Sequence, residues 1–176
     1  MKLSDSCTIN AEVATVWAAL LDPEVLKVCV PGCTEMSGSA EDGFEATVVQ
    51  KVGPVKATFK GVVVLSELIE PMSLTITGEG KGGAAGFAKG GADVRLEQDG
   101  AKTILHYDVE AKVGGKLAQL GSRIIDGFAK KMSDKFFENF ENAVSIPVPD
   151  ADLAVEDTTD DTEVKEKKGW LKGLIG

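Results

Sequence analysis

The chain has 176 residues, of which 43% are hydrophobic and 27% charged, and 28 acidic against 19 basic side chains leave a formal net charge of −9. These values are typical of one folded domain with some additional chain. Because nucleic-acid binding depends on clustered Lys and Arg, the acidic balance argues against a nucleic-acid partner. No apolar run reaches the roughly 18–20 residues that cross a bilayer and no signal-peptide pattern follows the first residues, so we expect a cytoplasmic protein.

Cysteine and histidine usage argues against a metal or redox site. Cys7, Cys29 and Cys33 have no C-x-x-C spacing, and we expect three reduced thiols. The single histidine, His106, belongs to an alternating segment in which its neighbours Leu105 and Tyr107 have the inward parity. His106 is therefore predicted to face solvent, and no metal ligand set is expected.

The first third of the chain predicts a strand and two short helices. Residues 2–9 alternate weakly, as a strand does. Asn10 is a candidate N-cap for a helix whose apolar residues recur at spacings of three and four. Asp22-Pro23 interrupts that helix and predicts a second one, which should end near residues 30–32.

From residue 34 to residue 113 the apolar pattern has period two, which is typical of half-buried strands. Turn residues separate the runs at 41–43, 53–54, 70–71 and 99–100. The segment therefore predicts about six strands, or seven with the first. Their short connections predict antiparallel pairing.

A long amphipathic helix is predicted over residues 116–144, with an apolar stripe from Leu117 to Val144. A stripe of this length must be covered, and only the sheet offers enough surface. The sequence therefore predicts an α+β domain over residues 1–144, in which a curved antiparallel sheet wraps around the long helix.

Two further segments follow this domain. Residues 145–163 are rich in Pro, Asp and Thr and contain no Lys or Arg, which predicts an acidic disordered linker. Residues 164–176 are predicted to form an amphipathic tail that contacts the membrane, because tryptophan favours the interface and lysines are attracted to anionic lipid. A frayed tail and docking into a protein groove are the alternatives. The predicted membrane-binding residues are Lys168, Trp170, Leu171, Lys172, Leu174 and Ile175.

An internal apolar cavity is expected between the sheet and the first half of the long helix, because two short helices can fill only part of that gap. The hydroxyl of Tyr107 would orient a ligand there. The alternative is that all these side chains pack against one another. The predicted lining residues are Phe59, Val63, Ile76, Leu105, Tyr107, Leu117, Leu120, Ile124 and Phe128, with Val28, Val30 and Pro31 at the rim.

The glycine-rich run over residues 80–92 has two interpretations. It superficially matches a phosphate-binding loop, but it lacks the Gly-Lys-Ser/Thr signature and is followed by strand-like sequence. Glycines in strands more often mark bends, which a curved sheet requires. The run would also leave space for a ligand near Phe87.

The element order and four motifs resemble one known family. The motifs are Val-Pro-Gly-Cys at 30–33, Val-Gly-Pro-Val-Lys-Ala-Thr-Phe-Lys-Gly at 52–61, the glycine-rich run at 80–92 and Gly-Lys-Leu-Ala-Gln-Leu-Gly-Ser-Arg at 115–123. Over about residues 1–144 the chain is similar to the G subunit of carbon monoxide dehydrogenase. That family belongs to the helix-grip superfamily of START, polyketide-cyclase and Bet v 1-like domains.

The resemblance implies a cavity for a hydrophobic ligand and an accessory role beside a molybdenum-containing carbon monoxide dehydrogenase. It also implies attachment of that enzyme to the cytoplasmic membrane or coupling to the respiratory chain. The leading hypothesis is a non-catalytic carrier that takes a quinone, menaquinone or ubiquinone, from the membrane and presents it to the dehydrogenase. The protein would then lie peripherally on the inner face of the cell membrane.

Two alternatives stay open at this point. The first is a membrane-recruitment adaptor that transports no ligand. The second is an enzyme of the polyketide-cyclase type, for which the inward parity offers only Tyr107 as a pocket acid or base.

Overall fold

The computed structural model describes residues 1–145, and this part of the chain forms one seven-stranded sheet with three α-helices. The strands are β1 (Lys2–Ile9), β2 (Cys33–Ser39), β3 (Gly43–Val52), β4 (Val55–Ile69), β5 (Ser73–Lys81), β6 (Phe87–Asp99) and β7 (Lys102–Gly114). The helices are α1 (Val13–Leu20), α2 (Pro23–Cys29) and α3 (Ser122–Val144), with 3₁₀ turns at Gly83–Ala85 and Gly115–Leu120. The α+β prediction, with seven strands and two short helices after the first, is confirmed.

The predicted acidic linker, from residue 146 onwards, and the predicted tail at 164–176 lie outside the described residues. The membrane-contact prediction for the tail therefore stays a prediction. It concerns Lys168, Trp170, Leu171, Lys172, Leu174 and Ile175.

The strands are ordered β1-β7-β6-β5-β4-β3-β2, and every neighbouring pair is antiparallel. Strands β2 to β7 follow one another as a meander because their connections are short. Strand β1 closes the other edge by pairing with β7, from Lys2 opposite Glu110 to Ile9 opposite Thr103. The two edge strands are therefore β1 and β2.

The two faces of the sheet differ in composition, as the period of two predicts. The helix-side face carries the buried residues Phe44, Leu74, Val94 and Leu105. The outer face carries polar and charged side chains together with a few exposed valines. His106 belongs to this outer face, where its Nε2 lies 3.1 Å from Oε1 of Glu97.

The start of α1 differs from the prediction. Glu12 occupies the N-cap position, and it makes no side-chain capping hydrogen bond. Asn10 lies two residues earlier and is not the cap. The start of α2 agrees with the prediction, because the Asp22 side chain accepts a hydrogen bond from the backbone N–H of Glu24 at 2.9 Å and Pro23 is the first helical residue.

The long helix begins later than predicted. The segment Gly115–Leu120 is a 3₁₀ turn, and α3 starts at Ser122. Between them Gly121 has φ +89°, a left-handed conformation that an α-helix cannot contain. The predicted lining residues Leu117 and Leu120 therefore lie on the 3₁₀ turn and not on the helix.

The apolar core consists of two clusters. The larger joins α1, α2 and the C-terminal half of α3 to β1, β5, β6 and β7, and its fully buried members include Val16, Leu105 and Phe140. The smaller, which we name the turn-end cluster, contains the buried residues Val52, Leu117 and Ile125. Four of the partly buried residues packed against it are Val55, Phe59, Leu120 and Phe128.

Candidate functional site: a lysine-lined cleft beside the long helix

A cleft of about 480 Å³ lies between α3 and the end of β3. Side chains and backbone from the N-terminal half and middle of α3 form one bank, and the α2–β2 connection and the end of β3 form the other. The cleft is lined by Pro31, Gln50, Lys51, Gly53, Ile124, Gly127, Phe128, Lys131, Met132 and Lys135. We name this feature the α3 cleft.

The second bank is held together by contacts between distant parts of the sequence. The side-chain amide of Gln50 donates a hydrogen bond to the backbone carbonyl of Pro31, so the α2–β2 connection is tied to β3. At the next turn Gly53 has φ +57°, and a Cβ there would lie 3.4 Å from Cγ2 of Ile124. The absence of a side chain at Gly53 therefore lets the β3–β4 turn approach the start of α3 closely.

The first bank contains a glycine inside the helix. Gly127 is in the second turn of α3, and a Cβ placed on it would meet nothing within 4 Å. Glycine in a helix interior costs about 1 kcal/mol relative to alanine. Packing does not require this glycine, so its structural consequence is open space over the helix backbone at the cleft.

The charge of the cleft has one sign. Its lining includes the lysines Lys51, Lys131 and Lys135 and no Asp or Glu. Lys131 and Lys135 are one helical turn apart on α3, and Lys51 is on the opposite bank. The Nζ of Lys135 also lies 3.4 Å from Oε1 of Glu138, in an exposed pair.

The apolar part of the cleft connects to the turn-end cluster. Phe128 lines the cleft and also packs against that cluster, as do Leu120 and Phe59 without lining the cleft. The cleft thus combines an apolar wall, formed by Pro31, Ile124, Phe128 and Met132, with cationic groups. Such a surface suits a ligand that is mainly hydrocarbon.

Between the two core clusters, the helix-side face of the sheet is lined by small residues. Gly61, Gly80 and Ala88 are aligned across β4, β5 and β6, and none of them belongs to either cluster. A Cβ at Gly80 would have only the backbone oxygen of Lys60 within reach, at 4.0 Å. This strip therefore offers no side chains to fill the gap under the helix.

The expected enclosed cavity stays a prediction, because the α3 cleft is open to solvent. The structure does bring six of the predicted ligand residues to the α3 cleft or the turn-end cluster. They are Pro31, Phe59, Leu117, Leu120, Ile124 and Phe128.

Other predicted ligand residues lie elsewhere. Leu105 and Tyr107 are buried in the larger cluster, and Ile76 packs against it. Val63 is half-buried and belongs to neither cluster. Val30 is half-buried beside Pro31, whereas Val28 is 66% exposed on α2 and does not line the cleft.

Phe87 lies on the opposite side of the sheet from the other predicted ligand residues. It pairs with Lys81 and Gly114 on the outer face, where it is 40% exposed. A Cβ at Gly114 would meet the Phe87 ring at 2.3 Å, so the ring lies over this glycine. The odd-numbered residues of β6 all face outward, and this parity excludes Phe87 from the helix side.

Tyr107 is a packed core residue and not part of the α3 cleft. Its ring stacks on Phe137 with centroids 4.9 Å apart. Burial raises the pKa of the Tyr107 hydroxyl, and the nearby Asp5 carboxylate raises that pKa further. The hydroxyl is therefore held in its neutral form.

Sequence reasoning missed five lining residues of α3 and β3 that carry the polarity and shape of the cleft. Lys51, Lys131 and Lys135 resemble other surface lysines in the sequence, and only the fold brings them together. Gln50 and Gly127 were also missed. Gly127 did carry a signal, since an isolated glycine inside an amphipathic helix usually has a packing or functional reason.

Within residues 1–145, no three His, Cys, Asp or Glu side chains converge on a possible metal position. In the same part of the chain, no helix combines the length and the apolar character needed to span a bilayer.

The fold is shared with several solved structures. A conserved protein from Geobacillus kaustophilus is 27% identical, with a TM-score of 0.77, over 82% of this chain and 95% of that one. A START superfamily protein from Mycobacterium smegmatis is 14% identical, with a TM-score of 0.62, over 81% and 96%. The protein Ara h 8.0201 is 15% identical, with a TM-score of 0.57, over 82% and 97%.

No curated protein sequence matches the chain. A family model does match, over residues 6–145, and it describes the G subunit of carbon monoxide dehydrogenase (CoxG). That range ends where α3 ends, so it includes all the helices and nearly all the strand residues described above. The chain therefore belongs to the CoxG family of carbon monoxide dehydrogenase, and it has the helix-grip fold of START-like proteins.

Proposed function

We propose that this protein is an accessory factor of a molybdenum-containing carbon monoxide dehydrogenase. It binds a hydrophobic, lipid-like molecule and links the enzyme to the quinone pool of the membrane. The ligand is a respiratory quinone, menaquinone or ubiquinone, and the protein carries out no covalent step itself. The family name supports the dehydrogenase as partner.

One observation carries the ligand-binding part of the proposal. The α3 cleft leads from the surface, past Phe128, to the turn-end cluster, and the adjoining strip of sheet is lined by glycine and alanine. A flat or linear apolar molecule fits a gap that is bounded by hydrocarbon and lacks side chains of its own. Hydrophobic burial then supplies the affinity, at about 25 cal/mol per Å² of apolar surface removed from water.

The first experiment asks what the protein holds. The full chain is purified from its host, and bound lipids are extracted with organic solvent and identified by mass spectrometry. We expect an isoprenoid quinone. A chain that is reproducibly empty when purified from quinone-containing cells contradicts the proposal.

A pair of variants links the quinone to the cleft. Gly127→Phe places an aromatic ring in the open space of the α3 cleft and should abolish quinone retention. Ala143→Phe places the same ring on an exposed position near the end of the same helix and should leave it unchanged. Equal retention by the two variants would show that the ligand does not occupy the cleft.

A second experiment asks whether the ligand matters for electron transfer. Reduced carbon monoxide dehydrogenase is mixed with quinone-containing vesicles, and quinol formation is followed with and without this protein. We expect acceleration by the wild-type chain and by Ala143→Phe, and none by Gly127→Phe. If Gly127→Phe accelerates the reaction as well as the wild type, the protein acts as a recruitment adaptor without ligand transport.

A further inference from the structure

The distribution of charge around the α3 cleft suggests how the folded domain approaches a membrane. The whole chain has a net charge of −9, so an anionic surface repels it on average. The cleft is an exception, with three lysines and no acidic residue among its lining. A negatively charged surface would therefore attract this side of the domain and repel most of the others.

The lysines are also divided between the two banks. Lys131 and Lys135 project from α3, and Lys51 comes from the end of β3 on the other side of the opening. A single flat anionic surface can reach all three only if the opening itself faces that surface. Ile124, at the start of α3, is 40% exposed in the same opening and offers an apolar group to the interface.

We propose that the rim of the α3 cleft is a docking surface for anionic phospholipid, in which Lys51, Lys131 and Lys135 contact the lipid phosphates and the cleft opens directly onto the bilayer. This inference rests on the proposed function, because it gives the hydrophobic ligand a path from membrane to protein that avoids water. It is separate from the predicted tail, since every residue it uses lies in the helix-grip domain.

Two triple variants of the full chain test the assignment of the face. The first is Lys51→Gln/Lys131→Gln/Lys135→Gln. The control is Lys60→Gln/Lys81→Gln/Lys89→Gln, which removes the same charge from exposed lysines on the outer face of the sheet. Both sets are also made in a background carrying Trp170→Ser, Leu174→Ser and Ile175→Ser, so that a contribution from the tail cannot hide the effect.

Binding is measured by co-sedimentation with vesicles of phosphatidylcholine and phosphatidylglycerol, and with vesicles of phosphatidylcholine alone. Each lysine near an anionic surface changes partitioning about fivefold, so the cleft triple variant should bind the anionic vesicles about a hundredfold more weakly. The outer-face control should stay within about fivefold of the parent chain. The difference should disappear on neutral vesicles and at high salt.

Several results would overturn the proposal. Equal losses in the two triple variants would show a non-specific charge effect, and an unchanged cleft variant would remove the lysines from the interface. Complete loss of vesicle binding in the tail background alone would assign all membrane contact to the tail.

A parallel measurement with decyl-ubiquinone, by equilibrium dialysis, separates this inference from the proposed function. The cleft lysine variant should bind decyl-ubiquinone as the parent does. If it loses decyl-ubiquinone but keeps vesicle binding, the lysines serve the ligand and the docking proposal is wrong. If no form binds the quinone while vesicle binding still depends on the cleft lysines, the docking surface stands and the proposed ligand is wrong.

Discussion

The side chain of Asn139 in α3 donates a hydrogen bond from Nδ2 to the backbone carbonyl of Cys29, the last residue of α2, at 3.0 Å. The last carbonyls of a helix have no partner within the helix, so Asn139 satisfies one of them. The bond joins residues 110 positions apart and fixes the end of α2 just before Pro31 enters the cleft bank.

Replacing Asn139 by Leu should lower the free energy of unfolding by about 1–2 kcal/mol, because the Cys29 carbonyl then loses its partner in a half-buried place. Urea denaturation measures the change. Asn142→Leu, at an exposed position of the same helix, is the control and should alter stability by less than about 0.5 kcal/mol. Similar values for the two variants would mean that the Asn139 bond contributes nothing.

A second buried hydrogen bond connects β7 to the segment before α1. The side chain of Thr103 is fully buried, and its Oγ1 donates to the backbone carbonyl of Ala11 at 2.8 Å. Thr103→Val keeps the shape but leaves this carbonyl unpaired, which should cost about 1–3 kcal/mol by thermal or urea unfolding. Thr8→Val, at an exposed position of β1, should have little effect. A Thr103→Val protein as stable as the parent would contradict this assignment.

Two thiols should make stability depend on alkaline pH. Burial raises the pKa of the Cys29 thiol from 9.0 to about 11. Burial, together with Glu141 and Asp5, does the same for Cys7. In the unfolded chain both thiols ionise near their usual pKa, so between about pH 9 and 11 the unfolded state binds fewer protons than the folded state.

Stability should therefore be unaffected by these thiols below about pH 8 and should fall as the pH rises from about 9 to 11, by about 1–2 kcal/mol per thiol. Urea unfolding across this pH range measures the slope. The slope should become shallower in Cys7→Ala and again in Cys29→Ala, whatever their stability at neutral pH. An equal slope in all three proteins would show that other groups control the alkaline loss.

The open space at Gly127 predicts a gain of stability. Gly127→Ala adds a methyl group that meets nothing within 4 Å, so the substitution should raise the free energy of unfolding by about 0.5–1 kcal/mol through helix propensity alone. Gly121 provides the contrast, because its φ of +89° makes Gly121→Ala destabilising although that site is equally open. Differential scanning calorimetry distinguishes the two. Destabilisation by Gly127→Ala would mean that the space at the cleft is smaller than described.

Much of the fold could be predicted because local signals agreed with the tertiary structure. The alternation in β7 placed Leu105 and Tyr107 on the buried face, and Asp22-Pro23 located the start of α2. The prediction failed at Gly121, where the apolar spacing continued through a residue whose backbone conformation ends the helix. Hydrophobic periodicity reports which face is buried, and it does not report φ.

The candidate site was less predictable for a physical reason. Pro31 and Phe128 were identified because apolar residues carry a signal of burial in any sequence. Lys51 and Lys131 carry no such signal, because an exposed lysine looks the same whether its neighbour in space is an acid or another lysine. Phe87 was misplaced because a phenylalanine is expected inside, whereas the register of β6 with β5 and β7 turns it outward.

The sequence by itself determined the number and order of the elements, the acidic balance of the chain and the resemblance to the family, because these depend on local periodicity, composition and motifs. Only the tertiary structure decided that α3 begins after Gly121, that the apolar core divides into two clusters, and that three lysines distant in sequence surround one opening. Such features depend on which residues meet across long stretches of the chain, and that information is in the strand register and helix packing rather than in any single segment.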